Sequence, residues 1–524
     1  MPWLPLYDAG ILGLNFDTPD YMLPPEALTR MKNVRVRAGA LEPFGGIQQV
    51  GGGTEIPGYW LLNVEAEGNR HWIYAGLEKV YIFRATTHKE ITKTGGYNAT
   101  TSIRWNGGLL GGVPILNNGV DPPQMWLPQD FSTPQLLQDL SNWPTGYTAR
   151  VIRPFRNFLV ALHLNDGTTD FPQTLRWSHP ADPGNVPVSW DIADPTRDAG
   201  QVDFLETPGR FIDSRQLGGV NILYKDDSIW RMQHIGGDLI FNFAPISRLA
   251  GLLSTHAVAA FPGGHALITP DDIVVHNMTD PQSILEGRLR RWFVSNVNEE
   301  YAHRSFAAHH PAFHEIWFCV PTGDDEWPCC GLVWDYRNNV FSIRDLPELS
   351  YAIAGQFAAG ASIEVWDTAT VTWDNYEGVW DSFAFGVLAP GLTGISATKE
   401  EVYQFDVGFT DEGSPVETVA ERTRLSLVGR NRQDEPRADP TLVKHITRVR
   451  PRLTGAAVTF HFGQQLNNFE PIQWIGPFEF DPSYQEYIDV QFSTKLISYR
   501  IESSVDAHWQ LGGIQAEMTF GGEF

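Results

Sequence analysis

The sequence predicts an all-β protein in which a β-propeller of six or seven blades precedes a β-sandwich-like C-terminal domain. Three observations favour this fold class. Short apolar strands occur in pairs around polar turns, the pairs recur at a nearly constant spacing, and no long segment has the 3.6-residue period of a helix. The 49 glycines and 36 prolines suit a chain with many turns.

The strand pairs share one pattern: an apolar strand, a polar turn, and a second strand rich in aromatic residues. A residue from the middle of each first strand marks six such units: Ile73, Ile115, Leu159, Ile222, Leu267 and Trp317. The steps between them are 42, 44, 63, 45 and 50 residues, and a propeller blade takes about 40–50 residues. We assign the long step to an insertion at residues 177–190, and a seventh unit to residues 400–406.

The first two regions are an extended lead-in, residues 1–50, and the propeller with its inserted loops, residues 51–408. Alternating Val and Arg residues at positions 34–37 indicate a strand in the lead-in. We expect this strand to pair with the last blade and close the ring, because closure removes exposed sheet edges.

The third region, residues 409–524, begins at a polar segment that contains Gly and Pro. Several strand-like runs separated by turns favour a β-sandwich-like domain here. Arg448, Arg450 and Arg452 fall on one face of one strand. They either dock an acidic partner surface or face solvent.

The charge is strongly acidic, with 38 basic and 62 acidic residues and a net charge of −24. Residues 1–408 contribute −19 of this charge. A protein that reads DNA sequence presents a basic face to the phosphates, so the balance argues against that class. It is compatible with a wall past which DNA slides, because acidic side chains repel phosphates, and equally with a role in solubility alone.

Cysteine usage and the apolar runs indicate the compartment. The three cysteines, Cys319, Cys329 and Cys330, cannot all pair, which favours folding in a reducing cytoplasm. The opening residues have no basic segment followed by an apolar run, so we expect no secretory signal. We also expect no membrane-spanning segment, because no run reaches about 18 apolar residues.

Two groups of residues are candidate metal ligands. One is a set of four histidines within twelve residues: His303, His309, His310 and His314. Their order is not the H-E-x-x-H of zinc hydrolases, and no helix is predicted to carry them. The other group, the acidic loop at residues 323–326, lacks the spaced oxygen ligands of a calcium loop. The sequence therefore predicts no metal site.

Signals of catalysis are also missing from the sequence. No G-x-S-x-G turn is present, and the glycines at 51–53 precede no helix that could bind phosphate. We therefore predict no catalytic and no cofactor-binding residue, and a protein that is not an enzyme. One aromatic set has an alternative use as a sugar platform: Trp366, Trp373 and Trp380, spaced by seven residues.

Several runs together resemble one family of viral proteins. The opening run N-V-R-V-R-A-G-A-L, followed by the F-G-G turn at 44–46, resembles the start of tail nozzle proteins of short-tailed bacteriophages. Four later runs look like blades of the same proteins: RWSHPADPGNVPVSWD, GGVNILYKDDSIWRMQHIGG, EIWFCVP and GLVWDYRNNVFSIRD. The resemblance covers nearly the whole chain and rests on the order of the runs. The chain is shorter than nozzle proteins of the T7 type and ends in a compact β segment.

The resemblance implies a structural role. Members of this family form a six-fold ring below the portal and the head-to-tail adaptor, retain the packaged DNA, and open during ejection into the host. It therefore implies a hexameric homo-oligomer that contacts the adaptor and the tail fibres or spikes. Genomic DNA passes through transiently without sequence-specific binding. The location would be the virion tail, after synthesis and assembly in the cytoplasm of the host bacterium.

An alternative hypothesis assigns the propeller to the tail tip as a virion-associated glycan-binding or glycan-degrading module. A hydrolase is expected to cluster acidic residues with raised pKa values at one mouth of the propeller. A nozzle is expected to assemble and to place acidic residues along an inner surface.

Overall fold

The computed structural model describes residues 3–7, 10–66, 68–127, 129–355, 390–430, 436–467 and 469–523. Within these ranges the chain consists mostly of short β-strands, and the one α-helix is α1 (Arg290–Asn296). Three 3₁₀ turns in the same ranges are Asp20–Met22, Gly237–Leu239 and Ala302–Arg304. The predicted all-β class is confirmed.

Seven short strands occupy the lead-in. They are β1 (Trp3–Tyr7), β2 (Gly13–Leu14), β3 (Ala27–Leu28), β4 (Arg30–Lys32), β5 (Val34–Arg37), β6 (Ala40–Pro43) and β7 (Ile47–Val50). Except for the parallel pair β2–β3, these strands join sheets formed by later parts of the chain. The lead-in is therefore shared out between the propeller and the C-terminal strands.

Blades one to five are separate four-stranded antiparallel sheets. Blade one consists of β8 (Trp60–Ala66), β9 (Asn69–Ala75), β10 (Val80–Arg84) and β11 (Thr87–Glu90), and blade two of β12 (Asn106–Leu110), β13 (Val113–Asn117), β14 (Gln124–Met125) and β15 (Gln138–Asp139). Blade three consists of β16 (Thr148–Phe155), β17 (Phe158–Asn165), β18 (Asp170–Trp177) and β19 (Gly200–Asp203), and blade four of β20 (Phe211–Leu217), β21 (Val220–Lys225), β22 (Ile229–His234) and β23 (Phe241–Ser247). Blade five consists of β24 (Val258–Phe261), β25 (Gly264–Ile268), β26 (Ile273–His276) and β27 (Gln282–Ser283).

Blades six and seven share their sheets with other parts of the chain. Blade six consists of β28 (Phe306–His310), β29 (Glu315–Val320), β30 (Cys330–Asp335) and β31 (Val340–Asp345). Blade seven contains β32 (Tyr351–Gly355), β33 (Gly391–Ser396) and β34 (Glu401–Phe405). The first strand of each blade contacts the first strand of the next, and β32 contacts β8. The described part of the chain thus forms a closed propeller of seven blades.

The fourth strand of blade seven comes from the lead-in. Strand β7 pairs antiparallel with β34, with Val402 opposite Val50 and Phe405 opposite Ile47. The lead-in therefore closes the ring, as the sequence predicted, but it does so through residues 47–50 and not through the strand at residues 34–37. That strand, β5, turns at Ala38 and Gly39, which both have positive φ, and pairs with β6 instead. Two positive φ values suit a tight two-residue hairpin, which alternation of Val and Arg does not reveal.

The long step in the repeat falls in blade three. Its third and fourth strands, β18 and β19, are separated by residues 178–199, so the insertion begins where the sequence placed it. Trp190 within this loop is buried and packs edge-on against Trp143. The insertion is therefore part of the packed structure of blades two and three.

Eleven strands follow the propeller. They are β35 (Thr410–Asp411), β36 (Ser414–Pro415), β37 (Thr418–Leu425), β38 (Leu427–Arg430), β39 (Pro436–Ala438), β40 (Leu442–Gly455), β41 (Val458–Gln465), β42 (Gln473–Phe480), β43 (Ile488–Thr494), β44 (Leu496–Ser503) and β45 (Trp509–Glu523). One sheet has the order β43-β40-β45-β6-β5, with β1 also paired to β45. Phe462 and Phe492, from different sheets, stack with their ring centroids 6.2 Å apart in a shared apolar core.

The second sheet of this sandwich continues directly from blade six. Strand β4 pairs in parallel with β31 through Lys32 and Ile343, and antiparallel with β37 through Lys32 and Val419. The result is one nine-stranded sheet of order β28-β29-β30-β31-β4-β37-β44-β41-β42. The propeller and the sandwich are thus joined by backbone hydrogen bonds as well as by side-chain packing.

A buried ionic cluster lies at this junction. The carboxylate of Asp406 accepts hydrogen bonds from Arg35 (2.6 Å), Arg344 (3.0 Å) and the backbone N–H of Gly45 (2.9 Å). His310 Nε2 lies 3.1 Å from its other oxygen. Burial opposes ionisation, but the two guanidinium groups hold the pKa of Asp406 well below its usual range. We call these five residues the Asp406 cluster.

We expect Gly46→Ala, next to this cluster, to destabilise the protein by about 1–3 kcal/mol. A Cβ at Gly46 would lie 2.1 Å from the carbonyl oxygen of Thr410, and backbone cannot yield as a side chain can. The matched control is Gly512→Ala, where the nearest atom is 4.0 Å away. Urea unfolding of both variants checks this, and equal midpoints would contradict it.

Candidate functional site

The centre of the propeller is the first place to search for a site, because side chains from several blades meet there. Five buried residues from different blades meet there: Arg104, Arg153, Asp213, His256 and Tyr351. They precede or belong to the first strands of five different blades. We call them the axial network.

An ion pair between blades three and four anchors the axial network. Arg153 donates two hydrogen bonds to Asp213, at 2.7 and 2.8 Å, and a third to the carbonyl of Gly107 in blade two. Burial opposes ionisation of Asp213, but the charge and hydrogen bonds of Arg153 hold its pKa well below the usual range. The carboxylate of Asp213 is therefore ionised, and both of its oxygens already accept hydrogen bonds from Arg153.

His256 links blade five to the opposite side of the ring. Its Nε2–H donates to the carbonyl of Trp105, at 2.7 Å, so its Nδ1 is the unprotonated nitrogen and faces Arg153 at 3.3 Å. Burial and the nearby Arg153 charge hold the pKa of His256 well below its usual range. Both ring nitrogens are thus committed, which leaves neither for proton transfer to a substrate.

Arg104 completes the crossing of the centre. It precedes blade two, yet it donates to the carbonyls of Arg304 (2.6 Å), before blade six, and of Ser350, before blade seven. Burial lowers its pKa to about 10. Blades two and six are not neighbours in the ring, so these contacts cross its centre. The axial network therefore closes the middle of the propeller with side chains.

A second buried cluster lies between blades four and five. The hydroxyl of Tyr224 is 2.6 Å from His265 Nδ1 and 2.9 Å from His276 Nε2. His265 Nε2–H donates to the carbonyl of Gln216, so Tyr224 donates to its Nδ1. His276 Nδ1 accepts from the N–H of Met278, so its Nε2–H donates to Tyr224. Both rings are neutral and fully bonded in this arrangement.

The four clustered histidines of the sequence do not converge. His310 faces Asp406, and His309 Nε2 lies 3.3 Å from the hydroxyl of Tyr336. His303 lies in a 3₁₀ turn before β28, and His314 follows that strand in the connection to β29. Among the described residues, no three His, Cys, Asp or Glu side chains are placed to hold a metal ion.

The acidic loop at residues 323–326 is engaged within the chain. Glu326 forms an ion pair with Arg304 at 3.0 Å, and Asp325 accepts from the thiol of Cys329 at 2.8 Å. Burial, with the neighbouring Asp325, raises the pKa of the Cys329 thiol. Two carboxylates of this loop are therefore already paired with Arg304 and Cys329.

The arginines of the C-terminal domain are paired as well. Arg448 lies 3.0 Å from Asp489, and Arg450 lies 2.5 Å from Glu486. Arg448 also stacks on Tyr487, at 4.6 Å from the ring centroid. These partners stand in the same domain, so part of the strand's positive charge is neutralised within the chain. Trp366, Trp373 and Trp380 lie outside the described residues.

Sequence reasoning missed the axial network. A signal was present, since Arg153 directly follows Val151 and Ile152, and Asp213 directly follows Phe211 and Ile212, so both charges adjoin apolar residues of a strand. A buried charge needs a partner, so each such residue predicts another. As to membranes, no helix in the described ranges is long and apolar enough to cross one.

No known protein family and no curated protein matches this sequence. Among solved structures, it is similar to virginiamycin B lyase from Staphylococcus aureus, with 7% identity, 69% of this chain and 98% of that chain covered, and a TM-score of 0.39. It is also similar to a fungal alcohol oxidase in complex with copper, with 9% identity, 91% and 99% covered, and a TM-score of 0.38. The BBS1N chain of a complex with ARL6DN matches with 8% identity, 70% and 95% covered, and a TM-score of 0.39.

We expect Asp213→Asn to destabilise the protein by about 3–5 kcal/mol, because it leaves the buried Arg153 without a counter-charge. The exposed Asp280→Asn is the control and should change stability by less than about 0.5 kcal/mol. Denaturant unfolding monitored by tryptophan fluorescence measures both. Equal stability of the two variants would show that the ion pair is dispensable.

Acid is expected to destabilise the fold through the Tyr224 cluster. Burial lowers the pKa of His265 to about 3 and of His276 to about 4. Histidine in the unfolded chain has a pKa of about 6.5. The contribution of the two histidines to the free energy of unfolding is therefore complete above that pH, and it is lost as the pH falls through their pKa values in the folded protein. Each histidine adds about 1.4 kcal/mol per pH unit to the slope. Unfolding of wild type and of the His265→Asn/His276→Gln double variant from pH 4.5 to 6 tests this, and parallel curves would refute it.

Proposed function

We propose that the chain is a structural tail nozzle protein of a short-tailed bacteriophage, which forms a ring below the portal and adaptor. The observation that carries the proposal is the position of the nozzle-like run in the lead-in. Arg35 in that run and Gly45 in the following turn both bind Asp406. The residues that resemble the family thus build the joint between propeller and sandwich.

The closed centre of the propeller supports an assembly of several copies. Arg104 and His256 contact backbone across the middle of the ring, so a DNA duplex has no path through one propeller. A channel for DNA therefore requires several chains around a common axis. Closed rings of identical subunits are the usual solution, and six copies is the number that the resemblance implies.

The charge supports transient passage of DNA. A net charge of −24 disfavours tight binding to phosphates and suits a wall that DNA passes without sticking. In this proposal the ring retains packaged DNA, and then serves as the channel for ejection into the host. The neighbours are the head-to-tail adaptor and the tail fibres or spikes, and the location is the virion tail.

The rigidity of the subunit also fits this role. The nine-stranded sheet fixes the sandwich against blade six, and the Asp406 cluster fixes the lead-in against both. A ring component that retains packaged DNA has to keep the surfaces that contact its neighbours in constant positions. No catalytic step and no cofactor enters the proposal.

The test is the mass of the purified full-length chain by light scattering, together with electron microscopy, alone and mixed with portal–adaptor complexes. We expect rings of about six copies, either free or on the adaptor. Chains that remain monomeric beside the adaptor, and that bind or cleave surface polysaccharide instead, would overturn the proposal. That outcome would favour the glycan-binding or glycan-degrading alternative.

A further inference from the structure

One outer face of the C-terminal sandwich combines an aromatic ring with planar polar side chains. It is formed by β41, β42 and β44, at one end of the nine-stranded sheet. Alternation along these strands directs Phe460, Phe462 and Ile501 into the apolar core and the residues between them outward. The outward set is His461, Gly463, Trp474, Arg500 and Glu502. All of these except Gly463 are partly exposed.

Trp474 stacks on Arg500 across the middle strand of this face. The guanidinium carbon of Arg500 lies 4.4 Å from the centroid of the Trp474 ring. Strand β41 runs between the two residues, and its residue opposite Trp474 is Gly463, which has no side chain to block the contact. The indole is thus held by Arg500 while part of its surface stays open to solvent.

Carboxylates fix Arg500 and stand beside the indole. The Nε of Arg500 donates to Glu421 at 2.5 Å, and its guanidinium lies 3.5 Å from Glu502. Glu502 also lies 3.4 Å from Nε2 of His461, which stands opposite Arg500 in the ladder. The charge of Arg500 is therefore matched within the chain. We call Trp474, Arg500, His461 and Glu502 the Trp474 platform.

The Trp474 platform suits a neutral sugar better than a charged ligand. The C–H face of a pyranose stacks on an open aromatic ring, and hydroxyls at the edge of the sugar hydrogen-bond to carboxylate oxygens and imidazole nitrogens. Arg500 already faces two carboxylates, Glu421 and Glu502. A phosphate or an acidic sugar would therefore meet a net negative charge, which repels it.

We propose that the Trp474 platform binds a neutral saccharide. Trp474 is the stacking surface, Glu502 and His461 are the hydrogen-bond partners of the sugar hydroxyls, and Arg500 holds the indole in position. The site adds a glycan contact to the channel role proposed above. It lies within one chain, so it holds whether or not six copies assemble.

The test is an array of immobilised neutral and acidic bacterial polysaccharides probed with the full-length chain, followed by calorimetric titration with the glycan that is retained. We expect saturable binding with a preference for neutral glycans. Trp474→Ala should weaken binding at least about tenfold, because it removes the stacking surface. Tyr484→Ala is the matched control and should bind like the wild type, since Tyr484 is an exposed aromatic residue of the same domain outside the platform.

Three results would overturn the proposal. They are retention of no glycan by the wild type, equal binding by the Trp474→Ala variant, and tighter binding of single-stranded oligothymidylate, which would assign the ring to base stacking. Trp474→Phe keeps part of the aromatic face and should bind with intermediate affinity, so it tests the platform even where Trp474→Ala fails to fold. Light scattering of the same samples separates this site from ring assembly, because Trp474→Ala should form the same oligomer as the wild type.

Discussion

One buried carboxylate, Asp406, holds together three parts of the chain that are far apart in sequence. It accepts from Arg35 and Gly45 in the lead-in and from Arg344 in blade six, while it stands itself at the end of blade seven. If the lead-in detached, Asp406 and Arg344 would remain in the interior without their partners Arg35 and Gly45. Because breaking a buried pair costs about 3–5 kcal/mol, this cluster fixes the lead-in far more firmly than short strands alone could.

With the lead-in fixed, the rest of the architecture follows. Strand β7 is placed to complete blade seven, and β4 is placed to bridge blade six and the sandwich. Two units that could each have their own core therefore share one sheet and one continuous apolar cluster. Motion between them would break backbone hydrogen bonds, which distinguishes this joint from the polar, mobile interfaces usual between domains.

The sequence predicts the propeller because each blade is local. A hairpin such as the one that pairs Leu223 with Trp230 lies within a few residues of chain, and the period of these hairpins is visible in the sequence. The closing strand was misplaced because alternation of apolar and charged residues identifies a strand but not its partner. The axial network and the Asp406 cluster were missed for the same reason. Arg104 is 246 positions from Ser350, to which it donates, and Arg35 is 371 positions from Asp406. Arg35 alternates with valines in a strand, yet it is buried in an ion pair with Asp406.

Closure by the lead-in has a consequence for synthesis on the ribosome. Strand β7 ends at residue 50, but its partner β34 ends only at residue 405, and β1 is likewise synthesised long before its partner β45. Because translation adds about 5–20 residues per second, β7 remains an unpaired strand for roughly 20–70 s before β34 has been synthesised. Its two central residues, Gln48 and Gln49, are polar and remain exposed in the folded state. A strand with so polar a middle is a poor template for aggregation, which suits a segment that must stay available until its partner strand has been synthesised.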